Sequence, residues 1–184
     1  MKLWLLRHAP VVLAPGLCYG ASDVPADARL TRETAQAMAP QLPQGTPVWV
    51  SGLLRAQQLA GALQSLRPDL RAARIDPRLN EMDFGRWELK PWEHIPRSAF
   101  DDWMADFAHH RFGGSESTQQ LLYRVAAAMA DLRPATSGDV LWVTHAGVIR
   151  AVQHIVKSGA PQIREAGEWP KDAPEPGGWT WVEI

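Results

Sequence analysis

The apolar run at positions 3–6 ends abruptly in Arg7 and His8, with Ala9 and Pro10 next. Two more apolar runs end the same way. One stops at Ser51, with Arg55 a helical turn further on, and the other stops at Thr144 and His145. A lone strand-end histidine is ordinarily a structural residue, but here polar residues recur at three strand ends. In open parallel sheets ligands bind beyond the carboxyl ends of the strands, so neighbouring strands would gather two imidazoles and two guanidinium groups at one edge. That set suits a phosphoryl group. Arginine presents a planar fork matched to phosphate oxygens. A neutral imidazole, with a solution pKa of about 6.5, is a competent phosphoryl acceptor.

Transfer to a histidine also needs a proton donor for the leaving oxygen. The stretch RLNEMDFGRWELKPW supplies Glu81, Asp83 and Glu88. A carboxyl group in apolar, aromatic surroundings has its pKa raised, which suits a general acid. Residue types alone leave all three open.

The elements that must position these groups read as strands alternating with helices. Residues 3–7, 48–51 and 139–145 are short apolar strands, 73–76 a weaker one, and 178–184 a final one. Thr31 is a good N-cap for a helix running to about residue 42, with Glu33 at its positive end. Apolar residues at helical spacing predict helices over 53–66, halted by Pro68, and over 118–132, closed by Pro134. A helix over 147–156 follows the strand ending at His145. Helix starts after Leu53 and at Ala146–Gly147 would add backbone N–H groups for an anion. The segment from Asn80 to about Ser117 is irregular and aromatic, with a short helix near 98–110. This alternation predicts an α/β fold with helices on the faces of a sheet. No linker or repeat divides the chain, so residues 1–184 are expected to form one domain.

Composition narrows the function classes. The 184 residues are 46% hydrophobic and 21% charged, ordinary globular usage. Lys+Arg 19 against Asp+Glu 20 leaves a net charge of -1, which offers no general attraction to nucleic acid or acidic membranes. A single cysteine, Cys18, permits no intramolecular disulfide and reads as a small buried side chain. No segment has the length of a membrane span or the pattern of a signal peptide, so a cytoplasmic location is expected. His109 and His110 are sequential and diverge in a helix or a strand, a poor chelate, so no metal site is expected. His94 and His154 read as surface or packing residues.

The segments LWLLRHA, VSGLLRAQQLA, LNEMDFGRWE and VLWVTHAGVIRAV, in this order, resemble the histidine phosphatase superfamily in its phosphoglycerate mutase-like branch. GGSES resembles that family's Gly-Gly-Glu-Ser element. The resemblance implies a three-layer α/β/α sandwich with a mostly parallel sheet, and a phosphomonoesterase needing neither metal nor cofactor. It implies that His8 becomes phosphohistidine, that Arg7, Arg55 and His145 bind the phosphoryl group, and that Glu81 protonates the leaving alcohol and then activates water.

GLCYGASDVP, LNEMDFGRWELKPWEHIPR and the short length resemble family members acting on α-ribazole 5'-phosphate in cobalamin assembly. Tyr19, Gly20 and Ala146 are the expected substrate contacts, with Trp87, Trp92 or Trp103 as platforms for a flat base. The expected partner is a small phosphorylated substrate, and the expected state is a monomer or homodimer. Ala9 departs from the family's usual glycine and would crowd the phosphate or stiffen the loop. The rival readings are a mutase moving phosphate between hydroxyls and a non-catalytic phosphate-binding module.

Overall fold

The computed structural model describes residues 1–132 and 138–184. The proposed helix stop at Pro134 lies outside the described residues. A five-stranded sheet runs through the molecule: β1 (Lys2–Arg7), β2 (Val48–Val50), β3 (Arg74–Ile75), β4 (Val140–Thr144) and β5 (Trp179–Glu183), in the order β3-β2-β4-β1-β5. All pairings are parallel except β1 with β5.

The continuous apolar runs of β1, β2 and β4 reflect burial on both faces, as expected of a parallel sheet covered by helices. Leu3, Leu5, Trp49 and Trp142 face one core, completed by α4 (Thr118–Ala130) and α5 (Ala146–Ser158). Trp4, Leu6, Val50 and Val143 face the other, completed by α1 (Ala28–Met38) and α2 (Leu54–Leu66). Two cores on opposite faces make the three layers. Between Phe84 and Phe112 a smaller aromatic cluster forms around Phe112, with Trp103 stacked on it at 4.6 Å. The short helix α3 (Arg97–Ala105) carries Trp103 and ends before His109 and His110.

Helix α1 starts one turn earlier than Thr31 suggests. Asp27 is its N-cap, accepting the Leu30 N–H at 2.8 Å, while the Thr31 hydroxyl donates to the Asp27 carbonyl. Both are capping types, and Ala28, Arg29 and Leu30 carry no helix breaker, so the upstream cap wins. At the start of α4, Ser117 and Gln120 form a reciprocal capping box. Among the described residues no helix is long and apolar enough to cross a membrane.

Register brings the strand ends together. Arg7 pairs with Thr144, the His8 N–H donates to the Thr144 carbonyl at 3.1 Å, and the Ser51 N–H donates to the Val143 carbonyl at 3.0 Å. Chain order reverses here: β2 and β3 run outward from β4, whereas β1 and β5 lie on its other side. The crevice beyond the strand ends is therefore a topological switch point.

Candidate active site

His8 leaves β1 directly into this crevice and is 2% exposed. Its Nδ1 lies 2.7 Å from the Ala9 carbonyl. A carbonyl only accepts, so Nδ1 carries the proton and Nε2 keeps its lone pair. Burial lowers the His8 pKa to about 3, reinforced by the charges of Arg55 and Arg7 and opposed by the bond to Ala9. The ring is therefore neutral and nucleophilic at ordinary pH.

His145, fully buried at the end of β4, lies 5.1 Å from His8 between ring centroids. Its Nε2 is 2.8 Å from Ser51 Oγ, while Nδ1 is buried without a partner among the described residues. Burial first, then Arg55, His8, Arg124 and Arg7, hold its pKa well below the ordinary histidine value.

Arg55 projects from the first turn of α2 and is fully buried. Its Nη1 donates to the Ser22 carbonyl at 2.7 Å and its Nη2 to the Gly20 carbonyl at 2.6 Å, and Tyr19 lies 5.3 Å from the guanidinium carbon. Arg7 donates through Nη1 to the Pro174 carbonyl at 2.8 Å. The Nε of each arginine is buried with no partner among the described residues. Three buried nitrogens around His8 thus lack a partner, the wiring of an anion pocket. The loop before β5 closes its floor: the Gly177 N–H donates to the His8 carbonyl at 2.9 Å, and the Arg7 N–H to the Gly178 carbonyl at 3.0 Å.

The three candidate carboxyls separate by their partners. Glu88 accepts from the backbone N–H groups of Gly20, Ala21, Ser22 and Phe84 and from the Ser22 hydroxyl. Burial pushes its pKa up, but these donors outweigh it and hold the group below the ordinary glutamate value. It is a loop clamp. Asp83 accepts the Gly85 N–H at 2.8 Å in a turn. Among the described residues Glu81 accepts two backbone N–H groups, those of Met82 and Gly147, each at 3.0 Å, and it lines two cavities. Of the three, it is the one tied to the start of α5, two residues from His145, and the one lining a cavity walled in part by Trp103.

The chain matches the histidine phosphatase superfamily (branch 1) over residues 3–182. It belongs to the histidine phosphatase superfamily. The adenosylcobalamin/alpha-ribazole phosphatase of Escherichia coli (strain K12) is 32% identical over 157 residues, covering 81% of this chain and 75% of that one. The crystal structure of the protein TTHB049 from Thermus thermophilus superposes with a TM-score of 0.73 at 26% identity, covering 100% of this chain and 94% of that one. The mycobacterial glucosyl-3-phosphoglycerate phosphatase gives 0.82 at 22% identity, covering 99% of this chain and 89% of that one, a likeness of fold. With its phosphatase relatives, the family assigns this chain to the phosphoric monoester hydrolases.

In this histidine phosphatase several expected contacts have more specific positions. The N–H and carbonyl of Gly20 are both engaged inside the protein, by Glu88 and Arg55. A Cβ there would collide with the Met82 carbonyl. An amide in the first turn of each of two helices is likewise occupied: Leu54 N–H by Asp23 at 2.6 Å and Gly147 N–H by Glu81. Ala146, buried at the start of α5, follows His145 directly. Ala9 is fully buried with no positive φ, so its backbone does not require glycine.

Beside Glu81 lies a cavity of about 120 Å³, walled by Phe84, Trp103, Phe107 and Trp169 with Arg150 at its edge. Trp103 is therefore placed next to the candidate acid, whereas Trp87 and Trp92 belong to the aromatic cluster around Phe112. Two positioning groups escaped the sequence reading. Arg124, on α4, donates to the carbonyls of Arg78, Asn80 and Glu81 and pairs with Glu116 at 2.6 Å. Glu116, inside GGSES, also accepts the Asp83 N–H at 3.1 Å. The loop at 174–178 is the other, and its Gly- and Pro-rich composition carried no signal of a catalytic neighbour.

Proposed function

We propose that this chain hydrolyses a small phosphate monoester, α-ribazole 5'-phosphate or a close analogue, through a phosphohistidine on His8. The observation that carries the reading is the lone pair on His8 Nε2, set among three buried nitrogens with no partner among the described residues. Nε2 attacks phosphorus as the bond to the leaving oxygen breaks, and Glu81 gives that oxygen a proton. Water then attacks the phosphohistidine, Glu81 takes its proton, and phosphate departs with His8 restored. Arg7, Arg55 and His145 hold the equatorial oxygens, where preorganised charge lowers the barrier most. Tyr19 and Ala146 border this pocket. The substrate assignment is supported by the Escherichia coli relative's name and by the aromatic walls beside Glu81, which suit a flat leaving group. It would place the chain in cobalamin assembly.

The test is a quench in alkali during turnover of labelled α-ribazole 5'-phosphate. Acid-labile label on the wild type and none on His8→Asn is the expected result. Full turnover by His8→Asn would refute the nucleophile. Turnover that requires a bisphosphorylated primer and releases little phosphate would instead favour a mutase.

A further inference from the structure

Ser51 Oγ sits at a junction of three groups. The Leu53 N–H donates to it at 3.1 Å, Asn80 Oδ1 lies 2.9 Å away, and His145 Nε2 lies 2.8 Å away. A hydroxyl has one proton and two lone pairs. The Asn80 amide cannot be turned round, because its Oδ1 also accepts the Gly52 N–H at 2.7 Å. Asn80 itself is held at both ends, by its own N–H to the Pro77 carbonyl and by Arg124 on its carbonyl. The Ser51 proton therefore goes to Asn80, one lone pair takes Leu53, and only a lone pair is left for His145. Nε2 must then be the donor.

We infer that Asn80 and Ser51 lock His145 as its Nε2–H tautomer, so that binding of an oxyanion at this site draws one proton from solvent onto His145 Nδ1. In the locked neutral ring Nδ1 is a bare lone pair. Facing a phosphoryl oxygen, it would set acceptor against acceptor. Binding then requires the imidazolium, whose new N–H donates to the anion while Nε2–H stays on Ser51. The groups that act on the ring are Arg55 from α2, Arg7 and His8 from β1, and Arg124 from α4. Glu81 holds the N–H of Gly147, two residues along. Without an anion, burial first and then the arginines keep the ring neutral, and a bound dianion offsets the arginine charges and takes a hydrogen bond from the new N–H. Ser51 and Asn80 are thus positioning residues that convert anion binding into proton uptake.

The inference rests on the crevice being the phosphoryl site, and sulfate tests it cleanly because that dianion does not itself titrate near neutrality. Calorimetry of sulfate binding in buffers of different ionisation enthalpy should give an uptake near one proton, with affinity falling about tenfold per pH unit above neutrality. In nitrogen-15 spectra, His145 should be the Nε2–H tautomer in the free protein and imidazolium with sulfate. Asn80→Leu frees the Ser51 hydroxyl to donate to His145, so the ring can carry a neutral Nδ1–H; uptake and pH slope should fall toward zero. A free His145 protonated on Nδ1, or sulfate bound without proton uptake, overturns the inference while leaving the phosphatase reading intact. Failure of the wild type to bind sulfate or vanadate overturns both. The wild-type spectra decide the tautomer even where Asn80→Leu fails to fold.

Discussion

The Gly147 N–H donates to Glu81 Oε2 at 3.0 Å, and a Cβ on residue 147 would overlap Glu81 Oε1. The carboxyl and the start of α5 therefore fit only because residue 147 has no side chain. Gly147→Ala should displace Glu81 and lower kcat roughly 10²–10³-fold, the range of a lost general acid. The melting temperature should hold or rise, since alanine favours helix over glycine. Steady-state kinetics beside a thermal melt checks both halves. Unchanged kcat would mean that Glu81 in this position is not the proton donor.

Arg124 acts one step further back, through the carbonyls of Arg78, Asn80 and Glu81. Arg124→Met leaves those carbonyls and the largely buried Glu116 without their partner. A stability loss of roughly 2–4 kcal/mol is expected in urea unfolding. In the folded fraction kcat should fall, and KM should rise with it, because Arg124 also holds Asn80 and acts on the His145 ring.

Glu88→Gln separates the loop clamp from the candidate acid. Glutamine keeps one acceptor oxygen where the carboxylate has two serving five donors. The loop 20–22 should loosen and Arg55 lose its alignment on the carbonyls of Gly20 and Ser22. KM should rise about tenfold, equivalent to roughly 1.4 kcal/mol of binding, with a smaller effect on kcat. The folded Glu88 pKa is depressed, so its stabilisation is present above the unfolded value of 4.5 and lost as pH falls through the folded one.

His8 gives the fold an acid sensitivity of its own. Its folded pKa is about 3 against an ordinary 6.5. Above pH 6.5 both states are neutral and the contribution is complete. Below it the unfolded chain takes a proton that the folded one refuses, so stability falls as pH drops from 6.5 toward 3. This one group supplies a slope approaching roughly 1.4 kcal/mol per pH unit. His145 acts in the same direction. Urea midpoints across this range should show the slope, and His8→Asn should reduce it. The same depressed pKa means that protonation of His8 in the free enzyme contributes no loss of kcat/KM near pH 6.5.

The strands were legible because sheet burial on both faces writes unbroken apolar runs, and the polar residue after each run marks where the sheet ends. That alone assembled Arg7, His8, Ser51, Thr144 and His145. The choice among Glu81, Asp83 and Glu88 was not legible. All three are carboxyls in one aromatic stretch: the five donors on Glu88 mark a clamp, the Gly147 bond beside His145 sets Glu81 apart from Asp83, and both are properties of the fold rather than of residue type. Arg124 was hidden for a similar reason: its partners are backbone carbonyls more than forty residues away, and carbonyls leave no trace in residue identity. The misplaced start of α1 reflects two good caps, Asp27 and Thr31, one helical turn apart.

The His8 carbonyl accepts its closing backbone bond from the Gly177 N–H, and the Arg7 N–H donates to the Gly178 carbonyl. Residues at the two ends of the sequence therefore share one hydrogen-bonded floor. During synthesis the candidate nucleophile emerges long before Gly177 and Gly178, so its pocket cannot be finished until that later segment has followed. A nascent chain short of residue 178 would carry every candidate catalytic side chain and still lack this floor, so hydrolysis in a stalled-ribosome series should switch on only once residue 178 has emerged.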